Sequence, residues 1–219
     1  MRVGIAGYGV VGKTRHRSIE ANTSYQVTAI SESNEHARTS IPQGLEVHND
    51  YKSLIESAQI DIIFISLPNQ FAAEATCLSL QKGLHVFCEK PPARTHAELL
   101  EVQKQSCKFS DLKLMYGFNH RFHLSVEEAN SIIKSNSLGR IINMKGVYGK
   151  SQMISFNQTD WRTNREASGG GILLDQGIHM LDLIRYLSGE NFTQIFSFID
   201  NAFWNFDVED NAYVLMKSP

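Results

Sequence analysis

The chain has 219 residues, of which 42% are hydrophobic and 20% charged, and its formal net charge is -2. This composition is typical of a globular protein with one large domain or two small ones. The near-neutral charge and the lack of a long basic run argue against nucleic-acid or membrane partners held by bulk charge. Three cysteines without a C-x-x-C pair predict a reduced, cytoplasmic protein without a disulfide framework. We expect neither a signal peptide nor a membrane-spanning helix.

The first half of the chain alternates between apolar, strand-like runs and helix-like segments. Predicted strands cover 2–6, 25–30, 45–48, 60–66, 84–88 and 113–118, and predicted helices begin near residues 10, 50, 69 and 95. Alternation of this length is typical of βαβ units around a parallel sheet. The predicted class is therefore α/β, with a doubly wound Rossmann sheet in a cofactor domain over residues 1–118.

Beyond residue 118 the pattern changes. The sequence predicts a helix over 125–136, a long strand over 141–148, an apolar helix from the glycine run at 169–171 to about residue 187, and strands over 192–203 and 208–216. The segment 150–167 is polar and lacks clear periodicity. We expect an α+β domain over 119–219 with a largely antiparallel open sheet. Because the chain ends where a hairpin turn is due, we expect this sheet to be truncated and incomplete.

A glycine loop separates the first predicted strand from the first helix. Residues 7–12 read Gly-Tyr-Gly-Val-Val-Gly, the pattern G-x-G-x-x-G. Its first glycine permits a tight turn, its second lets a pyrophosphate approach the backbone, and its third lets the helix pack on the strand. Residues 7–14, GYGVVGKT, also satisfy the P-loop pattern of proteins that bind ATP or GTP with magnesium.

Three features favour the dinucleotide over the P-loop. Gly9 is required only by the dinucleotide pattern. Glu32 follows Gly12 by 20 residues, where a carboxylate that binds the adenosine ribose is expected. The apolar strand over 60–66 ends in Ser66, whereas a P-loop protein usually has a magnesium-binding aspartate after such a strand.

The charge of Glu32 disfavours a 2′-phosphate, which predicts NAD as the cofactor. Ser33 and Arg38 lie nearby in the sequence and leave NADP open. The three cationic side chains of the following helix, Lys13, Arg15 and Arg17, are interpreted as solvated surface charges.

A second informative stretch is the connector Cys88–Pro92, with the sequence Cys-Glu-Lys-Pro-Pro. Its prolines hold Glu89 and Lys90 on a stiff segment at the carboxyl edge of the sheet, where open α/β sheets bind ligands. The Lys90–Pro91 bond is of the type that adopts the cis form at low cost. The alternative is an exposed Glu–Lys pair on a tight turn. Cys88 lacks an evident base partner and is expected to pack in the core.

Four separated motifs together resemble the Gfo/Idh/MocA family (glucose–fructose oxidoreductase and inositol dehydrogenase). They are the glycine loop, Leu67-Pro68-Asn69, Glu89-Lys90-Pro91, and residues 169–179, which resemble G-G-G-x-L-x-D-x-G-x-H. Residues 117–122 resemble the stretch that enters the family's substrate domain. Ala72 departs from the family, because many members carry a histidine there, and members also continue well past residue 219.

The resemblance implies an oxidoreductase that transfers a hydride between NAD(P) and a secondary hydroxyl of a sugar, nucleotide sugar or cyclitol. The residues expected to bind the cofactor are Gly7, Gly9, Val10, Val11, Gly12, Glu32, Ser66, Pro68, Asn69, Glu89, Lys90 and Asn119. Two alternatives stay open: an NAD-binding protein without turnover, and a P-loop nucleotidase.

Asp175 and His179 are four residues apart on a predicted helix, so they share one face, with Asp182 near the same stripe. A carboxylate beside an imidazole orients the ring, as a general base requires. The alternative is an aspartate that caps the helix and a structural histidine. The resemblance implies that His179 carries the proton in many family members and Lys90 in others.

The residues expected to contact substrate are Lys90, Arg121, Trp161, Arg162, Asp175 and His179. The alternative role for Arg121 is a salt bridge without substrate contact. The alternative for Trp161 and Arg162 is that they belong to a surface loop without a role in binding. The spacing of His120 and His123 suits a metal, but no carboxylate or cysteine completes the set, so we expect no metal. The second domain is expected to form homo-oligomers if its sheet is complete.

Overall fold

The computed structural model describes residues 1–149 and 161–219. They form two compact units, Met1–Gly117 and Phe118–Pro219. Residues 150–160, which belong to the polar segment noted above, lie outside the described residues. None of the described helices combines the length and the apolar character that crossing a bilayer requires.

The first unit is built on one parallel sheet of six strands, which confirms the predicted α/β class. The strands are β1 (Arg2–Ala6), β2 (Gln26–Ser31), β3 (Glu46–His48), β4 (Ile62–Ile65), β5 (His85–Cys88) and β6 (Leu114–Tyr116). Their order is β3-β2-β1-β4-β5-β6, and every neighbouring pair is parallel. This is the strand order of dinucleotide-binding folds. The order in which strands are added to the sheet reverses between β1 and β4.

The helices of the first unit are α1 (Val10–Glu20), α2 (Glu35–Arg38), α3 (Tyr51–Ser57), α4 (Asn69–Gln81) and α5 (His96–Lys108). All except the short α2, which was not predicted, begin close to their predicted positions, because local signals set the starts. The side chain of Asp50 accepts the Ser53 N–H at 2.9 Å and caps α3. Gly83 has a φ of 85°, the left-handed conformation that stops α4.

The core of the first unit lies on both faces of its sheet. Side chains of the central strands, such as Ile5, Ile63 and Ile65, are almost completely removed from water. Burying one such side chain stabilises the fold by roughly 1.5–3 kcal/mol. Because strands buried on both faces need apolar side chains throughout, they are visible in the sequence as short apolar runs.

The second unit combines short helices with a two-stranded sheet. Its helices are α6 (Leu124–Lys134), α7 (Arg165–Ser168) and α8 (Ile178–Ser188), with 3₁₀ turns at Asn119–Phe122 and Trp161–Thr163 and a π-helical turn at Leu173–Gly177. The antiparallel strands β7 (Gln194–Asp200) and β8 (Asn211–Lys217) form the sheet. The predicted antiparallel pairing is confirmed, although β7 ends at Asp200, before its predicted end at residue 203, and β8 begins at Asn211, after its predicted start at residue 208.

The predicted long strand over 141–148 is wrong. Among the described residues, the second sheet contains β7 and β8 only, and residues 141–149 belong to no strand. An apolar, alternating segment becomes a strand only where a neighbouring strand pairs its backbone groups. This segment packs on α8 instead, since a Cβ atom on Gly146 would lie 3.4 Å from Met180 Cβ.

One face of the second sheet carries large apolar side chains that are exposed to solvent. Phe196 is opposite Leu215, and Phe198 is opposite Tyr213. These four side chains are 64–79% exposed. We call this set (Phe196, Phe198, Tyr213 and Leu215) the apolar sheet face.

Candidate active site

The glycine loop forms a tight cradle between β1 and α1. Gly7 has a φ of 87°, and a Cβ atom there would lie 2.6 Å from the Ser66 carbonyl oxygen. A Cβ atom on Gly12 would lie 2.1 Å from the Gly7 carbonyl oxygen, so α1 packs directly on the loop. Around Gly9, by contrast, a Cβ atom would meet no atom within 4 Å. Two glycines are thus required by packing, and the third faces open space.

The open space lies at the amino end of α1. The side chain of Val10 is 84% exposed, and the Lys13 N–H is bonded to the Gly9 carbonyl at 3.0 Å. The N–H groups of Val10 and Val11 precede this first helical bond, so they are available to an anion, which the positive end of an eleven-residue helix also favours. The cradle fits the pyrophosphate of a dinucleotide.

Glu32 lies immediately after β2, beside the glycine loop. Its Oε2 accepts the Tyr8 N–H at 3.0 Å, and its Oε1 accepts the Asn34 N–H at 2.9 Å. The two bonds fix the carboxylate, and each oxygen keeps a further lone pair for a hydroxyl donor such as a ribose. Arg38 donates to the Asn49 side chain.

The connector Cys88–Pro92 continues from the carboxyl end of β5. The Lys90–Pro91 peptide bond is cis. The Glu89 N–H donates to the Ile65 carbonyl at 2.9 Å, which holds the connector against the end of β4. The side chain of Lys90 is half-buried.

The interpretation of Arg15 as a solvated charge is wrong. Its Nε–H donates to Glu89 Oε1 at 2.6 Å, and only 25% of its side chain is exposed. Lys13 lies over the Tyr8 ring, 5.8 Å from its centroid, and Arg17 donates to Thr14 Oγ1 at 3.3 Å. Sequence reasoning missed Arg15 because its partner is 74 residues away.

The loop after β4 contributes the next expected cofactor residues. The Ser66 N–H donates to the Ala6 carbonyl at 2.8 Å, so this loop runs beside the glycine loop. Pro68 precedes α4, and Asn69, its first residue, is buried. These residues therefore lie at the carboxyl edge of the sheet, as expected of a ligand-binding edge.

The expected catalytic residues of the second unit lie where a π-helical turn passes into α8. Asp175 is in the π turn, and its Oδ2 accepts from Gln176 Nε2 at 2.7 Å. His179 is near the start of α8 and is 6% exposed. π turns are rare and frequently mark functional sites.

Glu209, which sequence reasoning missed, holds the glycine run that precedes this turn. Its Oε1 accepts the Gly171 N–H at 2.8 Å, and its carbonyl accepts the Ile172 N–H at 2.9 Å. A Cβ atom on Gly171 would lie 1.9 Å from the Glu209 carbonyl oxygen. A glycine is therefore needed at position 171 so that Glu209, just before β8, can approach the backbone closely. No local sequence pattern indicates this contact.

Other aromatic and imidazole rings surround His179. The His120 ring stacks on it with centroids 4.1 Å apart and an interplanar angle of 23°. Tyr148 stacks on His120 at 5.7 Å, and Phe118 meets His179 edge-on at 6.2 Å. The histidine pair at 120 and 123, weighed above as a metal motif, thus contributes one ring to this stack. Among the described residues, no group of three His, Cys, Asp or Glu side chains is arranged to hold a metal.

Arg121 forms an ion pair with Asp182, the alternative to a substrate contact raised above. Its Nε–H donates to Asp182 Oδ2 at 2.8 Å, and the guanidinium lies 5.0 Å from the Tyr186 ring centroid. The bond to Asp182 raises the pKa of Arg121 above its usual range. Trp161 and Arg162 stack on each other, with the guanidinium 4.4 Å from the ring centroid.

Cys88 is completely buried beneath the connector. Burial raises the pKa of its thiol to about 12. A thiol in this state is a poor nucleophile, so the geometry supports the expected packing role.

Taken by unit, the two halves offer different chemistry. The first unit presents an anion cradle and a fixed carboxylate at the carboxyl edge of a Rossmann sheet. The second presents a buried imidazole in a ring stack at the start of a helix. An imidazole in such a place is suited to accept or donate a proton.

Comparison with known proteins agrees with this geometry. Residues 1–118 match the model of the oxidoreductase family with an NAD-binding Rossmann fold, and residues 126–219 match the model of the GFO/IDH/MocA C-terminal domain. The chain is 32% identical over 199 residues to D-glucoside 3-dehydrogenase of Escherichia coli (strain K12), a match that covers 86% of this chain and 54% of that protein.

Solved structures of the same kind superpose closely. A levoglucosan dehydrogenase in complex with NADH and levoglucosan matches with a TM-score of 0.89 and 26% identity, over 99% of this chain and 63% of that one. Myo-inositol 2-dehydrogenase from Lactobacillus plantarum matches with a TM-score of 0.88 and 27% identity, over 100% of this chain and 66% of that one.

The chain thus spans about half the length of the curated relatives it matches and about two thirds of the matching structures. The match to an NAD-binding Rossmann domain favours the dinucleotide interpretation of residues 7–14 over the P-loop. The chain belongs to the Gfo/Idh/MocA family of oxidoreductases, and its first unit is an NAD-binding Rossmann domain.

Proposed function

We propose that this protein is an NAD-dependent oxidoreductase that acts on a secondary hydroxyl of a sugar, nucleotide sugar or cyclitol. The observation that carries the proposal is the open cradle at Gly9, at the amino end of α1 and beside the fixed carboxylate of Glu32. The substrate class is supported by relatives whose names are those of D-glucoside, levoglucosan and myo-inositol dehydrogenases.

In this proposal residues 1–118 provide most of the contacts to NAD, and residues 119–219 provide most of the contacts to substrate. The backbone from Gly7 to Gly12 holds the pyrophosphate, and Glu32 accepts hydrogen bonds from the adenosine ribose. A 2′-phosphate would meet the charge of Glu32, while Arg38 is engaged by Asn49, so NAD is favoured over NADP. Ser66, Pro68, Asn69, Glu89 and Asn119 complete the proposed cofactor contacts.

NAD, when bound, supplies the hydride acceptor. The chain's own part is to take the hydroxyl proton as the carbon–hydrogen bond breaks. We assign that proton to an imidazole nitrogen of His179, with Asp175 nearby in sequence on the same helical segment. The ammonium group of Lys90 is assigned to the substrate oxygen, where it stabilises developing negative charge.

Trp161, Arg162 and Arg121 are the remaining proposed substrate contacts. Trp161 and Arg162 form a partly exposed pair whose ring and guanidinium suit a sugar face and its hydroxyls. Because the Arg121 guanidinium is held by Asp182, we assign it a supporting role, with substrate contact only at its remaining N–H groups.

Self-association through the second domain, expected if its sheet is complete, belongs to the same proposal. Its support is the exposure of the four large side chains of the apolar sheet face, since exposed apolar patches often mark contact surfaces between proteins. A cytoplasmic location is proposed as well, supported by Cys77, Cys88 and Cys107, which are all free thiols.

The test is NADH formation from NAD and a panel of polyols: a D-glucoside, levoglucosan, myo-inositol and a nucleotide sugar. We expect at least one to be oxidised, and NADH to bind with quenching of protein fluorescence. Binding of NADH without oxidation of any compound would favour the silent NAD-binding protein instead. Hydrolysis of ATP without NADH binding would contradict the proposal and favour the P-loop alternative.

A further inference from the structure

The ion pair between Arg15 and Glu89 joins the cofactor helix α1 to the connector that carries Lys90. The Arg15 Nε–H donates to Glu89 Oε1 at 2.6 Å, and Nη2 lies 2.5 Å from the same oxygen. Exposure of the two side chains is only 25% and 17%. The pair is therefore partly withdrawn from water, where a charge-assisted bond is stronger than on an open surface.

The guanidinium of Arg15 is also held from a second side. It lies over the Phe87 ring, 4.9 Å from the centroid, and Phe87 itself stacks on Phe64 at 4.9 Å. A cation over an aromatic face is favourable and restricts the side chain further. These contacts hold the Arg15 side chain in one position, with its guanidinium against Glu89.

Glu89 is fixed from three directions. Its N–H donates to the Ile65 carbonyl at 2.9 Å, at the end of β4. Its Oε2 occupies the position of a missing side chain at Gly117, where a Cβ atom would lie 2.6 Å away. Arg15 supplies the third contact through its ion pair with Glu89.

Loss of Arg15 would leave the Glu89 carboxylate partly buried without its counter-charge. Such a group turns its side chain toward water. Turning the side chain moves it away from Gly117 and loosens the connector. Lys90 is the next residue along the chain, so its ammonium group would lose a defined position.

We propose that Arg15 is a positioning residue that fixes Lys90 by holding Glu89. It contacts neither substrate nor cofactor in this role. The inference concerning catalysis rests on the proposed function of Lys90, whereas the inference that Arg15 holds the connector does not.

The first test follows hydrogen–deuterium exchange of the Glu89 and Lys90 amides in the full-length protein with NADH. We expect about tenfold faster exchange in Arg15→Ala, because a charge-assisted bond is lost. Arg17→Ala is the matched control: it removes an exposed cation from the same helix and should leave these amides unchanged. Unchanged exchange in Arg15→Ala would overturn the proposal.

The second test uses whichever polyol the wild-type protein oxidises. We expect kcat to fall about tenfold in Arg15→Ala. Because Glu89 is itself a proposed cofactor contact, the affinity for NADH should fall no further in Arg15→Ala than it does in Glu89→Ala. Arg15→Lys should recover only part of kcat because an ammonium group cannot reproduce the fork geometry. Ile19→Ala, a buried change on the same helix, controls for general destabilisation and should lower the melting temperature with kcat retained.

A double-mutant cycle then tests whether Arg15 acts on kcat through Glu89. If Arg15 acts through Glu89, the double variant Arg15→Ala, Glu89→Ala should lose no more kcat than Glu89→Ala alone. Multiplied losses would overturn the proposal, and so would a loss of NADH affinity confined to Arg15→Ala, which would mean a direct cofactor contact. If no polyol is oxidised at all, the proposed function fails, and the exchange experiment still decides the role of Arg15.

Discussion

The two units differ in what they bury. The first encloses clusters of buried apolar side chains around its sheet, drawn from residues between Val3 and Val102. Among the described residues of the second unit, Val208 is the only hydrophobic side chain that is buried, while His179 and Glu209 are buried polar groups. The first unit therefore contains its own stabilising core, whereas the second buries polar side chains and leaves apolar ones exposed. We therefore expect substitutions in the first unit to change either stability or NADH affinity. In the second unit we expect them to change either kcat or self-association.

The largest expected effect is at His179. His179→Ala should lower kcat by about 10²–10⁴-fold, the usual contribution of a general base, with NADH affinity nearly unchanged. Lys90→Ala should also lower kcat, and steady-state kinetics beside an NADH titration measures both. Full turnover in either variant would remove that residue from the mechanism.

A pair of glycine substitutions tests the first unit. Gly9→Ala should fold normally, since its Cβ atom meets open space, yet lose at least about tenfold in NADH affinity because that space is needed by the pyrophosphate. Gly12→Ala should instead lower the melting temperature, since its Cβ atom would lie 2.1 Å from the Gly7 carbonyl oxygen. Fluorescence titration and thermal unfolding separate the two. Equal NADH affinity in Gly9→Ala and wild type would refute the proposed cradle.

A third prediction concerns the ring that stacks on His179. His120→Ala should lower kcat by about 10-fold, because the imidazole loses the surface that orients it. His120→Phe keeps a ring in place and should retain most of the activity. If both variants lose the same activity, the imidazole of His120 itself takes part, and the stacking explanation is wrong.

The apolar sheet face offers a smaller effect. Phe198→Glu should shift the molecular mass measured by light scattering toward the monomer while NADH affinity stays unchanged, since Phe198 is 79% exposed and distant in sequence from the cradle. Ser197→Glu, on the opposite face of the same strand, is the control. A monomeric wild-type protein would refute association through this face.

The smallest effect concerns thiol reactivity. With its pKa raised to about 12, Cys88 should stay unreactive toward a disulfide reagent near about pH 8, whereas exposed Cys107 should react at once. The reagent releases one thiolate for each cysteine that reacts, so the amount released before and after unfolding gives the number of accessible cysteines. Early reaction of Cys88 would mean that the core of the first unit opens readily.

The sequence was informative wherever structure depends on neighbours in the chain. The glycine loop and the helix starts near residues 10, 50, 69 and 95 depend on signals within a few residues, and the structure has helices that begin at Val10, Tyr51, Asn69 and His96. The proposed strand over 141–148 failed because pairing depends on a distant segment. Periodicity reports which side of a segment is apolar, and it does not report what will cover that side.

The candidate site shows the same limit. The positions of Glu32 and Lys90 at the sheet edge followed from motif spacing. Arg15 and Glu209 could not be found this way, since they act across 74 and 38 residues of sequence. His120 was noted only for its spacing to His123, because stacking between rings leaves no spacing rule in the sequence.

The most direct test of the account is the transfer of deuterium from a polyol to NAD. The wild-type protein is incubated with NAD and a D-glucoside deuterated at every ring carbon, and the nicotinamide product is examined by mass spectrometry. The account predicts NADH that carries one deuterium, formed by the wild-type protein and lost with His179→Ala. NADH without deuterium, or the same labelled product from both proteins, would contradict it.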